Sequence, residues 1–254
     1  MLVCAIFRSG PCRTPDPPRT CVVKESLPAC WFALVPGQVS LSPALGLALV
    51  GAALVGLVVL FVWRPLTLLR PLLWLITHTI YRVSVFGREN VPAQGGALLV
   101  CNHVSYIDWL LIQSALRRPV RFVIWAPYAR MWGVRHLLRW ARVIPIDGSA
   151  GPKAIVRALH DAADALAAGD LVCIFAEGGL TRTGFMLPFH RGFEQIVKRT
   201  PAPIVPVCLD HVWGSIFSYQ GGKLLWKWPQ ELPYPVSVAF GLPLPSTATA
   251  AEVR

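Results

Sequence analysis

Acid is scarce in this 254-residue sequence: 13 Asp and Glu stand against 24 Lys and Arg, and charged residues of both signs make up only 15%. The formal charge of +11 makes the surface attractive to something anionic. The cations form no dense Lys/Arg runs with interleaved glycines and match no reading motif, which argues against nucleic acid and leaves an acidic membrane leaflet. No Cys-x-x-Cys pair occurs among the seven cysteines, and Cys4, Cys12, Cys21 and Cys30 have no histidine near them, so no metal site is expected. Gly-x-Ser-x-Gly is missing too. Gly148-Ser149-Ala150-Gly151 lacks the glycine two places before its serine, which excludes the nucleophile elbow of a serine hydrolase. Nor is there an internal repeat.

Apolar residues are abundant instead, at 54% with a mean hydropathy of +0.52. That is high for a soluble protein and low for a bundle of spanning helices, so one globular domain with a membrane attachment is expected. Among ten tryptophans, Trp109, Trp125, Trp132 and Trp140 suit the lipid–water boundary, where an apolar ring with one polar edge is comfortable. Cys101, Cys173 and Cys208 lie in apolar runs and read as reduced core thiols, consistent with a cytoplasmic setting for the main domain.

Residues 1–40 are rich in Pro and Cys without periodicity and read as a disordered leader, which a later start would omit. Segment 41–82 is assigned to the membrane. Ala44 to Trp63 is twenty residues without a charge or proline, enough to cross roughly 30 Å of hydrocarbon as a helix. Leu66 to Ile80, broken by Arg70 and Pro71, reads as an interfacial helix. Arg64, Arg70 and Arg82 follow the spanning run, whereas Lys24 is the nearest cation before it, which puts the rest of the chain on the cytoplasmic face of the inner membrane. Residues 83–245 then alternate strands (Val83–Phe86, Ala97–Cys101, Leu171–Phe175, Pro203–Leu209) with helices (Trp109–Leu116, Pro152–Ala168). This predicts an α/β domain with a mixed, largely parallel sheet flanked by helices. Residues 246–254 look like the start of a truncated C-terminal helix.

Two loops carry chemistry. Asn102-His103-Val104-Ser105-Tyr106-Ile107-Asp108 follows the strand ending at Cys101. Residues five apart stand about 140° apart on a straight helix, so His103 and Asp108 meet only if His103 is in the loop and Asp108 in the first helical turn. Asp108 would then fix one imidazole nitrogen and leave the other to take a proton from an alcohol. The bland alternative is a capping box in which Ser105 caps the helix and His103 is an ordinary loop residue. After Phe175 comes a glycine-rich loop, Ala176-Glu177-Gly178-Gly179-Leu180-Thr181-Arg182-Thr183-Gly184, whose arginine offers a planar fork for phosphate. Cys101 reads as core, and His160 and His190 as surface or structural.

In this order the two loops resemble the motifs of the lysophospholipid and 1-acylglycerol-3-phosphate acyltransferase superfamily. His103 and Asp108 match its N-H-x-x-x-x-D block; Phe175, Glu177 and Gly178 match F-P-E-G, and Ile204-Val205-Pro206-Val207 is similar to its V-P-V strand. Residues 177–184 and Pro188-Phe189-His190-Arg191-Gly192 most resemble the 2-acylglycerophosphoethanolamine acyltransferase domains. Ala176 replaces the usual proline, and Arg182 stands five after Glu177 where three is usual, so Arg191 is a second candidate for the phosphate. Arg142-Val143-Ile144-Pro145-Ile146-Asp147 is only loosely similar to the intermediate block. The resemblance implies that His103 deprotonates the hydroxyl of a lysophospholipid, which attacks the thioester of acyl-CoA or acyl-acyl carrier protein. Glu177, Gly178 and Arg182 or Arg191 would shape the headgroup site, with no cofactor and no metal. The rival reading is a catalytically inactive membrane-tethered lipid-binding or scaffold module on the same fold.

Overall fold

The computed structural model describes residues 42–63, 71, 74, 75, 77–132, 135–222 and 231–254, the side chains of 60–63 excepted. The expected leader and most of the expected interfacial segment lie outside them; of the latter, Pro71, Trp74, Leu75 and Thr77 to Thr79 are helical. The chain divides into two units between Val50 and Gly51, inside the first helix, α1 (Pro43–Trp63). α1 is apolar all round, and Leu47, Val55 and Val58 are exposed along it. Its side chains are described as far as Val59, and among the described residues no helix is long and apolar enough to cross a membrane.

The larger unit is built on seven strands: β1 (Tyr81–Phe86), β2 (Ala97–Cys101), β3 (Val120–Trp125), β4 (Ile144–Ile146), β5 (Leu171–Phe175), β6 (Ile204–Asp210) and β7 (Tyr234–Phe240). They lie in the order β1-β7-β6-β2-β5-β3-β4. Every neighbouring pair is parallel except β6 with β7, so the sheet is mixed and largely parallel, as the alternation of elements predicts.

Strand β2 explains the layering. All five of its residues are buried, and side chains alternate across a strand, so it must feed two cores. Leu98 and Val100 pack with Leu159, Ala162 and Leu166 of α5 (Pro152–Ala167) and with Phe193 and Ile196 of α6 (Gly192–Arg199). Leu99 and Cys101 pack on the other face with Leu111 and Ile112 of α2 (Asp108–Ala115) and with Val236 and Val238 of β7. Each fully buried Leu or Ile contributes roughly 1.5–3 kcal/mol, and together they lock the register of the central strands. Helix α5 begins on Pro152 at its first turn and stops before Gly169, whose φ of +86° admits glycine readily. Two short helices, α3 (Ala126–Arg130) and α4 (Arg135–Trp140), connect β3 to β4, and α7 (Ala250–Val253) ends the chain with a Thr249–Glu252 capping box.

The structure corrects the reading of Cys208: Cys101 and Cys173 are buried free thiols, but Cys208 is exposed. The final residues of β6 alternate in burial, Val207 and Leu209 inward and Cys208 and Asp210 outward, so an apolar run did not mean two covered faces there.

Candidate active site

Parallel α/β sheets present ligands at the carboxyl ends of their strands. β2 and β5 are adjacent and parallel with Cys101 opposite Phe175, so the loops leaving them start side by side. That register brings together residues 74 apart in sequence: the backbone N–H of His103 donates to Glu177 Oε1 at 2.9 Å. The next tie runs the other way, Thr181 N–H donating to the His103 carbonyl at 3.0 Å. Asn102 pins the same loop to β6, its side chain donating to the Leu209 carbonyl at 2.9 Å and accepting from the Leu209 N–H at 2.8 Å.

His103 Nδ1 lies 2.9 Å from Asp108 Oδ2, the arrangement expected if the chain folds back between them. Asp108 is fully buried and accepts from three further donors, the N–H groups of Val104 and Ser105 at 2.7 and 2.9 Å and the Ser105 hydroxyl at 2.5 Å. A carboxylate so surrounded accepts from Nδ1, which in the neutral ring leaves the free lone pair on Nε2. The imidazole stacks on Phe175, centroids 4.1 Å apart, and keeps 22% of its side chain exposed. The capping-box expectation is corrected here. Ile107, not Ser105, is the N-cap of α2, and the Ser105 hydroxyl is spent on the Asp108 carboxylate.

Both oxygens of Glu177, itself buried, receive backbone N–H groups: Oε1 from His103 and Oε2 from Leu187, each at 2.9 Å. The sequence reading put this carboxylate at the headgroup; the structure puts it between two loops. Gly178 follows at φ +69°, and a Cβ there would come within 2.8 Å of the His190 ring. His190, read as surface or structural, packs against the glycine-rich loop, and its backbone N–H donates to the Ala176 carbonyl at 2.8 Å. Arg182 is exposed and lies over the Tyr219 ring, 5.4 Å from its centroid; Arg191 is also exposed, at the start of α6.

Three tyrosines that no motif signalled gather nearby. Tyr106 meets Tyr128 edge to face with centroids 6.0 Å apart and Tyr219 at 6.2 Å. The Tyr106 phenol is pushed above its ordinary range first by its hydrogen bond with Tyr128, against an opposing bond with Tyr219. Burial pushes the Cys101 thiol well above its usual range, so it is no nucleophile despite lying two residues from His103. Among the described residues no three His, Cys, Asp or Glu side chains are placed to hold a metal ion.

His103, Tyr106, Trp109, Phe122, Trp125, Arg182 and Arg191 all border one cavity of about 1850 Å³. That exceeds the usual small-molecule site of roughly 300–1,000 Å³.

A 1-acyl-sn-glycerol-3-phosphate acyltransferase of Cocos nucifera is 29% identical over 181 residues, 69% of this chain and 53% of its own length. The human 1-acyl-sn-glycerol-3-phosphate acyltransferase alpha is 34% identical over 132 residues, 51% of this chain and 46% of its own length. The chain thus spans about half the length of these curated relatives. The crystal structure of the 1-acyl-sn-glycerophosphate (LPA) acyltransferase PlsC from Thermotoga maritima shares the fold, with a TM-score of 0.55, 23% identity, and coverage of 68% of this chain and 66% of that one. The acyltransferase family model matches residues 82–210, from β1 through β6 and both loops of the site, and the chain belongs to that family.

Proposed function

We propose that the protein transfers a fatty acyl group from a thioester carrier, acyl-CoA or acyl-acyl carrier protein, to the free hydroxyl of a lysophospholipid. The observation that carries the reading is the 2.9 Å contact of His103 with the buried Asp108, made at the rim of a lipid-sized cavity. Nε2 of His103 takes the proton of the acceptor hydroxyl while the oxygen attacks the thioester carbonyl. Asp108 holds the tautomer and stabilises the imidazolium. The tetrahedral adduct collapses by breaking the C–S bond, and the departing thiolate recovers the proton from His103. Glu177 keeps the two loops together, and Arg182 or Arg191 receives the acceptor phosphate through its planar fork.

Lysophosphatidate is the acceptor favoured by the names of the relatives; a lysophosphatidylethanolamine acceptor rests on residues 177–192. The apolar surface of α1 supports a membrane attachment, and Arg64, Arg70 and Arg82 after it support a catalytic unit on the cytoplasmic face. In nanodiscs with labelled donor and a panel of lysolipids, diacyl product should form, and His103→Ala should cost about 10² to 10⁴ in rate. Equal rates for the two proteins would sink the mechanism.

A further inference from the structure

The connection between β3 and β4 carries apolar and cationic side chains that the fold does not cover. α4 reads Arg-His-Leu-Leu-Arg-Trp, yet none of its residues is buried. Just before it Met131 is 53% and Trp132 82% exposed, and Trp125 at the end of β3 is 53% exposed. Leaving two indoles and a thioether in water on one connection, with Leu137 and Leu138 only half-covered beside them, is costly, and clusters of that kind mark contact surfaces.

Charge says which surface. Between Trp125 and Val143 the chain has Arg130, Arg135, His136, Arg139 and Arg142 and no Asp or Glu. The outer two arginines are tied back to the domain, Arg130 3.9 Å from Asp147 and Arg142 3.7 Å from Asp170. Arg142, with φ 51°, also has its carbonyl held by Arg121 Nε at 2.9 Å. Arg135 and Arg139 have no carboxylate partner among the described residues. They stand four apart and share one side of the helix. Both ends of the segment are thus anchored, and its middle presents cations beside the exposed Met131 and Trp132.

We propose that α4 and the Met131–Trp132 corner dock on an anionic bilayer surface, apart from any attachment through α1. Met131 and Trp132 enter the headgroup region and Arg135 and Arg139 pair with lipid phosphates. Basic residues combined with Trp and Leu on a short helix of low burial are the composition of interfacial segments. Tyr128, Leu137, Leu138 and Trp140 of the same connection also border the cavity, so docking would open the cavity at the lipid surface. The proposal does not depend on acyl transfer, because the contact is read without turnover.

The test is amide hydrogen exchange on the full chain in phosphatidylcholine nanodiscs with and without phosphatidylglycerol. Peptides covering 126–142 should exchange more slowly in the anionic discs. The difference should vanish in the double variant Arg135→Gln, Arg139→Gln, a loss of about thirtyfold in surface affinity for two arginines. It should also shrink with added salt in the unsubstituted protein, which keeps the test independent of how the variant folds. Equal exchange in the two discs overturns the proposal, as does a difference that salt and substitution leave intact. Slowing by an acidic acyl carrier protein in detergent, with no response to lipid charge, also overturns it and assigns the surface to a protein donor.

Discussion

Glu177 Oε1 accepts the backbone N–H of His103 at 2.9 Å, while its second oxygen accepts that of Leu187. One buried carboxylate thereby fixes the backbone of the residue proposed as the base. Glu177→Gln keeps the size but offers one acceptor and one donor where two acceptors are needed. An N–H left unmatched costs about 1–3 kcal/mol. Urea unfolding should show a loss of that size, and turnover should fall together with it while Glu177→Asp recovers neither, since its shorter side chain cannot reach both loops.

Asp108→Asn is expected to behave differently. The imidazole keeps its place but loses the group that fixes its tautomer, so kcat should drop by up to about 10⁴ with little change in KM. Stability should fall as well, because the N–H groups of Val104 and Ser105 also rely on that carboxylate. Steady-state kinetics beside a melting curve separates the two effects; an unchanged kcat in a folded variant removes Asp108 from the mechanism.

Gly178→Ala isolates the geometry of the glycine-rich loop. The left-handed backbone at φ +69° costs a non-glycine residue about 1–2 kcal/mol, and the new methyl group also presses on the His190 ring. Adding His190→Ala should relieve the second part and not the first. A double-mutant cycle in urea reads the difference, and full recovery would mean that backbone strain is absent.

Tyr81 supplies a prediction about alkaline pH. Burial pushes its phenol up to about 12 from an ordinary value near 10, so the unfolded chain gives up this proton first. Its share of stability is complete below pH 10 and is lost as pH rises toward 12. Tyr81→Phe should flatten that fall in a urea titration series. At pH 7 the substitution should cost less than about 1 kcal/mol, because among the described residues the hydroxyl makes no well-formed hydrogen bond, its polar neighbour Ser215 included.

Elements bounded by strong punctuation were legible from sequence. β2 lies between a Gly-Gly pair and Asn102, β5 between Gly169 and the glycine-rich loop, and α5 between Pro152 and Gly169; each falls within a residue of its expected limits. Strands β3, β4 and β7 were not named. β4 is three residues with a proline at its centre, tolerable because it is an edge strand, and β7 opens on Tyr-Pro. The pairing of His103 with Asp108 could be foreseen because both partners lie in one short segment. The role of Glu177 could not, since its partners are backbone N–H groups and the register that delivers one of them is set by two strands far apart in the chain.

Strand β2, from whose end the His103 loop leaves, has β5 on one side and β6 on the other, and both of its faces are sealed. Regions held that way open only when the whole domain opens, whereas peripheral connections fluctuate on their own. Loss of the His103–Asp108 contact on heating and global unfolding should therefore be a single event. Tolerance to sequence drift would be concentrated at the rim.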